Sequence, residues 1–207
     1  MEVREYVVKE EIYGFEELSE SAKENARQKY LEDFRESYMF SEMLKEDLQE
    51  IFPNSNLQVE YSLSSCQGDG LNVYGTFHIS DICEYVRLSK YYEELSKQGK
   101  RFLNFLEKRD FEVKCGSNNR YTYYVNKAID VQDYIREDLE NDYFRSIPYD
   151  IIRKIAKIFD DRLEEYCKGQ EEAGYDFFYT VDDDEILETF EINGYEGWDI
   201  NGNPIYC

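Results

Sequence analysis

Between Leu57 and Ser80 the apolar residues recur at alternate positions: Leu57, Val59, Tyr61 and Leu63, then Leu71, Val73, Phe77 and Ile79. Period 2 is the pattern of a strand with one buried face. All eight positions are odd-numbered, and this constrains the fold. Residues opposite each other in an antiparallel pair share a face, so odd must pair with odd. A two-residue turn at Asp69-Gly70 would set odd against even and put the two apolar sets on opposite faces. The connection therefore needs an odd number of residues, or a bulge. Three residues, Gly68-Asp69-Gly70, satisfy this, with Gly70 supplying the positive φ of a bulge-forming turn. That register sets Tyr61 against Phe77 and Val59 against Ile79. Gln67 and Asp69 have two readings, as turn residues that cap nearby backbone N–H groups or as a binding site.

A second alternation, Phe111, Val113 and Cys115 followed by Tyr121, Tyr123 and Val125, predicts another hairpin around Gly116–Asn119. Residues 3–13 read as a further strand. Helical spacing fills much of the rest. Leu18, Ala22, Ala26, Tyr30 and Phe34 recur at four-residue steps, and Ser19 is the expected N-cap. Phe40, Met43, Leu44, Leu48, Ile51 and Phe52 form a second helix that Pro53 ends. Asp81 is the expected cap of a helical stretch to Arg109, with a break or kink at Gly99 and basic residues Lys97, Lys100, Arg101, Lys108 and Arg109 towards its end. Residues 130–146 read as an acidic helix. A longer helix follows at about 149–173, with Ile151, Ile152, Ile155, Ile158, Phe159, Leu163 and Tyr166 inward and Asp160, Asp161, Glu164 and Glu165 on the outer faces. Asp182 to Glu185 cap a last helix, and Asn201-Gly202 turns a short terminal hairpin in which Pro204 marks an edge. Neither a low-complexity linker nor a repeat divides the chain. The expectation is one α+β domain over residues 1–207, acidic and helical from about 130, in which an antiparallel sheet of four to six strands built from hairpins is covered by amphipathic helices.

The formal net charge is −22, from 46 acidic and 24 basic residues. Residues 1–50 hold 15 acidic and 7 basic side chains, residues 51–129 hold 9 and 10, and residues 130–207 hold 22 and 7. Most of the charge therefore lies in the last part of the chain. Phosphate binding needs lysine and arginine, so direct binding to nucleic acid or to an anionic membrane is not expected. A basic partner is, including proteins that themselves bind nucleic acid. Aromatic residues make up 16% of the chain, and that content permits a homodimer.

No residue set identifies a reaction, and the expectation is a protein that is not an enzyme. The five cysteines are scattered without a C-x-x-C pair, which is neither a disulfide framework nor a zinc signature. His78 is the only histidine and falls at an even position, away from the apolar set. Nucleotide-binding glycine patterns are absent. The run Asp182-Asp183-Asp184-Glu185 lacks the alternate spacing and glycine turn of a calcium loop. No cofactor or metal is expected. The amino terminus is charged from its second residue and no apolar run approaches the length of a membrane span, so a reducing host cytoplasm is the expected compartment.

Three stretches carry a resemblance: ELSESAKENARQKY (residues 17–30), SSCQGDGLNVYGTF (64–77) and the tail GWDINGNPIYC. Together they resemble a family of phage- and prophage-encoded proteins whose hallmark is a Q-G-D-G hairpin and whose members mostly lack an assigned activity. Where members usually carry aromatic residues before that motif, this chain has Ser64, Ser65 and Cys66. By size and acidity the chain is also similar in class to anti-CRISPR proteins, which implies an inhibitor that occupies the nucleic-acid groove of a Cas nuclease. Carboxylates on successive turns present a line of negative charge that such a groove would accept. The candidates are Asp133, Glu137, Asp138, Glu140 and Asp142, then Asp160, Asp161, Glu164, Glu165, Glu171 and Glu172, then Asp182, Asp183, Asp184 and Glu185. The alternative is a phage module that binds another host protein through the turn at Gln67–Gly70.

Overall fold

A computed structural model describes residues 11–117, 122–140 and 147–206. The chain is α+β. Among the described residues there are seven α-helices, a three-stranded antiparallel sheet and a two-stranded one, where the sequence had pointed to one sheet of four to six strands. Two compact units hold them: residues 1–39 with 175–207, and residues 40–174. The dividing points fall within α2 (Ser37–Ile51) and α6 (Tyr149–Tyr179).

In the first unit, α1 (Glu20–Phe34) begins at Ser19, whose Oγ accepts the Ala22 N–H at 3.2 Å. Its four-residue stripe buries Ala22, Ala26 and Tyr30 against Ile186 and Phe190 of α7 (Asp183–Asn193). The chain then forms the expected terminal hairpin, β4 (Tyr195–Trp198) with β5 (Pro204–Tyr206). Its turn is ordered by Asp199, whose carboxylate accepts the N–H groups of Asn201 and Asn203 at 2.8 and 2.9 Å. Of the strand expected over 3–13, only the last residues are described; Tyr13 pairs with Trp198 in an isolated antiparallel bridge.

The second unit is built on β1 (Asn56–Ser62), β2 (Gly70–His78) and β3 (Glu112–Cys115), with β2 in the centre. Leu71, Val73 and Phe77 of β2 are fully buried. An edge-on aromatic cluster surrounds Phe77: Phe52 at 5.3 Å and Phe159 of α6 at 5.2 Å, with Tyr85 of α3 (Ile79–Arg87) 4.7 Å from Phe52. Such edge-to-face pairs each add roughly 0.5–1.5 kcal/mol beyond their buried area. The remaining helices of the unit are α4 (Lys97–Leu106) and α5 (Ala128–Glu140).

The opening hairpin keeps its parity and changes its register. Odd pairs with odd, but the partners are Tyr61 with Leu71 and Val59 with Val73, six residues away from the expected pairing with Phe77 and Ile79. The connecting loop has seven residues, 63–69. Two interactions lengthen it. Leu63 leaves the ladder and is buried over Gly174 of α6. Asp69 then closes the loop, its carboxylate accepting Ser62 Oγ at 2.7 Å and the Cys66 N–H at 2.9 Å. Gly70, with φ +147°, is required by contact as well as conformation: a Cβ there would lie 2.8 Å from Tyr123 Cα.

The second expected hairpin is not formed among the described residues. Residues 112–115 pair with β2, setting Val113 against Phe77. Residues 122–127 are not a strand. Their polar groups are satisfied by the first hairpin: Thr122 Oγ1 donates to Gly68 O at 2.8 Å, and the Val125 N–H donates to Asn72 Oδ1 at 3.1 Å. Asp81 does not cap α3 either. His78 does, with Nδ1 accepting the Ser80 N–H, so the strand stops one residue before Ile79. Asp81 lies buried within the first turn of α3 and accepts Asn54 N, Asn54 Nδ2 and Ser55 Oγ at 2.7–2.8 Å. Gly99 neither breaks nor kinks a helix; it lies in the first turn of α4 and donates to the Ser96 cap. α6 runs six residues past its expected end.

Three thiols, Cys83, Cys115 and Cys167, are buried and free. Burial pushes all three pKa values up, those of Cys115 and Cys167 to about 12. Each neutral form is favoured by the fold, so stability is intact below the ordinary thiol pKa of about 8.5 and is lost as pH rises towards 12. Lys127, with a pKa lowered by burial, acts in the opposite sense, but as one group against three. Urea midpoints measured under reducing conditions should fall between pH 7.5 and 10.5. The loss should approach about 4 kcal/mol per pH unit once all three thiols ionise in the unfolded chain. An unchanged midpoint would show that these thiols are not held neutral by the fold.

Candidate interaction surface

Helix α7 is fixed first by its inner face and its cap. Phe190 stacks on Tyr195 at 4.2 Å and on Trp198 at 4.7 Å. Asp182 caps the helix, its Oδ1 accepting the Asp184 N–H at 3.0 Å, and the acidic first turn complements the positive end of the helix. Asp183 and Glu185 turn inward towards α1. Arg27 holds Asp183 through Nε and one terminal nitrogen, at 2.7 and 2.8 Å, and this hydrogen-bonded pairing lowers the Asp183 pKa. Glu185 accepts from Tyr30 OH at 2.9 Å and from Arg35. The expected run 182–185 is therefore split: two carboxylates bind α1, one caps, and only Asp184 projects without an ionic partner among the described residues.

The rest of the outward face was not singled out from the sequence. Asp184, Glu188 and Glu191 stand at i, i+4 and i+7, all exposed, with no ion pair among the described residues. At 1.5 Å rise per residue they form a line of about 10 Å on one helix face. On the helical wheel Leu187 flanks this line on one side and Ile192 on the other, Ile192 being 76% exposed. Residues 175–207 carry nine acidic side chains and no basic one. The first unit as a whole holds 20 acidic and 6 basic residues, a net of −14, against 26 and 18, a net of −8, in residues 40–174. The i, i+4, i+7 spacing and the absence of lysine and arginine after residue 174 were the signals available.

The other candidates are dispersed. Asp138 is held by Arg109, with both contacts at 3.0 Å. Asp133 is exposed and 3.8 Å from Arg136, and Glu137 is exposed. Asp161 pairs with Lys157, Glu164 with Lys168, and Glu165 with Lys90, each at 2.6–2.7 Å. Glu171 is half-buried and Glu172 exposed. The side chain of Glu140, and Asp142 altogether, lie outside the described residues. Among the basic residues at the end of the expected 82–109 helix, Lys100 pairs with Glu93 at 2.5 Å. Gln67 is exposed, while Asp69 is engaged in closing its own loop.

Asp160 is a correction. It was expected on an outer face and is only 2% exposed. Its Oδ1 accepts Tyr124 OH and the Lys127 N–H, each at 2.6 Å, and its Oδ2 accepts Asn126 Nδ2. Lys127 is 0% exposed, and its Nζ donates to Gly116 O at 2.7 Å and to Asn72 Oδ1 at 3.2 Å. Burial lowers the Lys127 pKa and raises that of Tyr124, the latter aided by its bond to Asp160. This network joins α6, the 122–127 segment and β2 inside the second unit, where it is closed to a macromolecular partner.

Among the described residues no group of three or more His, Cys, Asp or Glu side chains is placed to hold a metal ion, and no helix is long and apolar enough to cross a membrane. No protein family, curated protein or solved structure matches the chain.

Proposed function

We propose that this chain works by binding a basic, nucleic-acid-binding protein through the outward face of α7, and that its target class is a Cas9-type nuclease of a phage host. The observation that carries this is the line Asp184, Glu188 and Glu191 between Leu187 and Ile192, in a segment without a single cation. A groove built to hold phosphates presents lysine and arginine at a spacing that successive helical carboxylates can meet. Exposed isoleucine and leucine at the edges add apolar contact that phosphate mimicry alone would not need. The phage setting and the nuclease target rest on the likeness in size and acidity to anti-CRISPR proteins. The alternative site at Gln67–Gly70 is less favoured, because Asp69 is already occupied by Ser62 and Cys66.

Binding of the full chain to a purified Cas9-type ribonucleoprotein tests this. The expected result is a complex that weakens steeply between 50 and 500 mM salt and that duplex DNA displaces, because exposed charge pairs are screened. Absence of binding at 50 mM salt would overturn the nuclease assignment.

A further inference from the structure

His78, Ser80 and Asp110 meet where β2 ends and α3 begins. The capping bond fixes the imidazole tautomer. Nδ1 accepts the Ser80 backbone N–H at 3.3 Å, so that nitrogen carries a lone pair and the ring proton sits on Nε2. Nε2 lies 3.3 Å from Asp110 Oδ1. Ser80 Oγ lies 2.6 Å from Nδ1, with its hydroxyl placed to donate to the same lone pair. The order is hydroxyl, base, carboxylate, with the hydroxyl-to-base distance that nucleophile activation requires.

Capping α3 needs only the His78 ring and the Ser80 N–H. It needs neither the Ser80 hydroxyl nor Asp110. Ser80 Oγ has two longer contacts: Asp81 Oδ1 at 3.4 Å accepts from it, and Asn54 Nδ2 at 3.5 Å donates to it. Asn54 Nδ2 gives one hydrogen to Asp81 Oδ1 at 2.7 Å and directs the other at Ser80 Oγ. Ser80 also stands in the first turn of a nine-residue helix, whose positive end favours a developing oxyanion. His78 and Ser80 are partly exposed and the Asp110 side chain is fully exposed, so a small molecule has access.

We propose that Ser80 is a nucleophile towards small activated carboxylic esters, with His78 as its base and Asp110 orienting the imidazole. Ser80 Oγ attacks the ester carbonyl as its proton passes to Nδ1. The C–O bond to the alcohol breaks, and the leaving oxygen takes that proton. Water, deprotonated by the same nitrogen, then hydrolyses the acyl-serine, giving one acid and one alcohol per ester and water consumed. This capacity is independent of the α7 face.

The test treats the full chain with a fluorophosphonate, which loses fluoride to the attacking hydroxyl, and locates the adduct by peptide mass spectrometry. The expected result is one phosphonate on Ser80, absent in Ser80→Ala. p-Nitrophenyl acetate hydrolysis should fall to the buffer rate in Ser80→Ala and in phosphonylated protein. Ser80→Ala keeps the His78 cap, and an unchanged thermal midpoint confirms its fold. Asp110→Asn should lower kcat about tenfold with KM unchanged, as expected for a group that only orients the base. An adduct elsewhere or nowhere, or a Ser80→Ala protein that retains the wild-type rate, overturns the proposal. An unchanged kcat in Asp110→Asn removes Asp110 from it.

Discussion

Asp160→Ala is expected to destabilise the fold by about 3–5 kcal/mol, because it strips three hydrogen-bond donors of one shared, buried carboxylate. Alanine leaves the buried Lys127 N–H, the part-buried Tyr124 OH and the amide of the exposed Asn126 without their acceptor. Each buried donor left alone costs roughly 1–3 kcal/mol, offset in part where water can enter. Asp161→Ala, one residue on, is the control. It removes only a surface pair with Lys157, worth about 0.5 kcal/mol or less. Urea unfolding of both variants at pH 7.5 checks this. Equal effects would show that Asp160 is not the centre of a buried network.

Gly202→Ala should be nearly as damaging, at about 2–4 kcal/mol. A Cβ at residue 202 would lie 2.0 Å from the Ala22 carbonyl oxygen and 2.8 Å from its carbon. Both are backbone atoms of α1, so no side chain can rotate to make room. Residue 202 also has φ +83°, where a Cβ is strained even in open space. The magnitude combines an overpacking cost of about 1–3 kcal/mol with about 1 kcal/mol for the backbone conformation. Asn25 Nδ2 holds this turn to α1 by donating to Asn201 O at 2.8 Å, so the turn cannot back away without breaking that bond. The thermal midpoint of the variant is the readout. A midpoint within 2 °C of wild type would contradict the close approach.

Most helices were legible because their apolar spacing is local, but the stretch expected to be helical to Arg109 is two helices, α3 and α4, parted at residues 88–96. Ser19 and Asp182 were visible as caps for the same reason. The hairpin register was not. Alternation settles odd against odd and nothing more, and the six-residue shift is set by Leu63 reaching α6 and by Asp69 closing the loop from within. Tyr121, Tyr123 and Val125 alternate like a strand. Yet the described part of that segment satisfies its polar groups with Gly68 O and the Asn72 side chain, contacts more than 50 residues away that no local pattern reveals. Asp160 is different, because its position was readable. It stands four residues after Ala156 and seven before Cys167, both buried on the same face of α6. Its charge points to an outer face, while its place in the helical period puts it inside. On α7 the conspicuous run 182–185 drew attention away from Glu188 and Glu191, which complete the exposed line.

The measurement that bears most directly on the docking surface compares two triple neutralisations of equal charge. One carries D184N, E188Q and E191Q on α7. The other carries E42Q, E46Q and E50Q on α2, where all three carboxylates are exposed. Affinities of both for the Cas9-type ribonucleoprotein at 100 mM salt should separate. Three exposed ionic contacts of up to about 1 kcal/mol each imply a loss of about ten- to a hundredfold for the α7 variant. The α2 variant should stay within about threefold of wild type. Equal losses from both would mean that net charge, and not the face of α7, carries the binding.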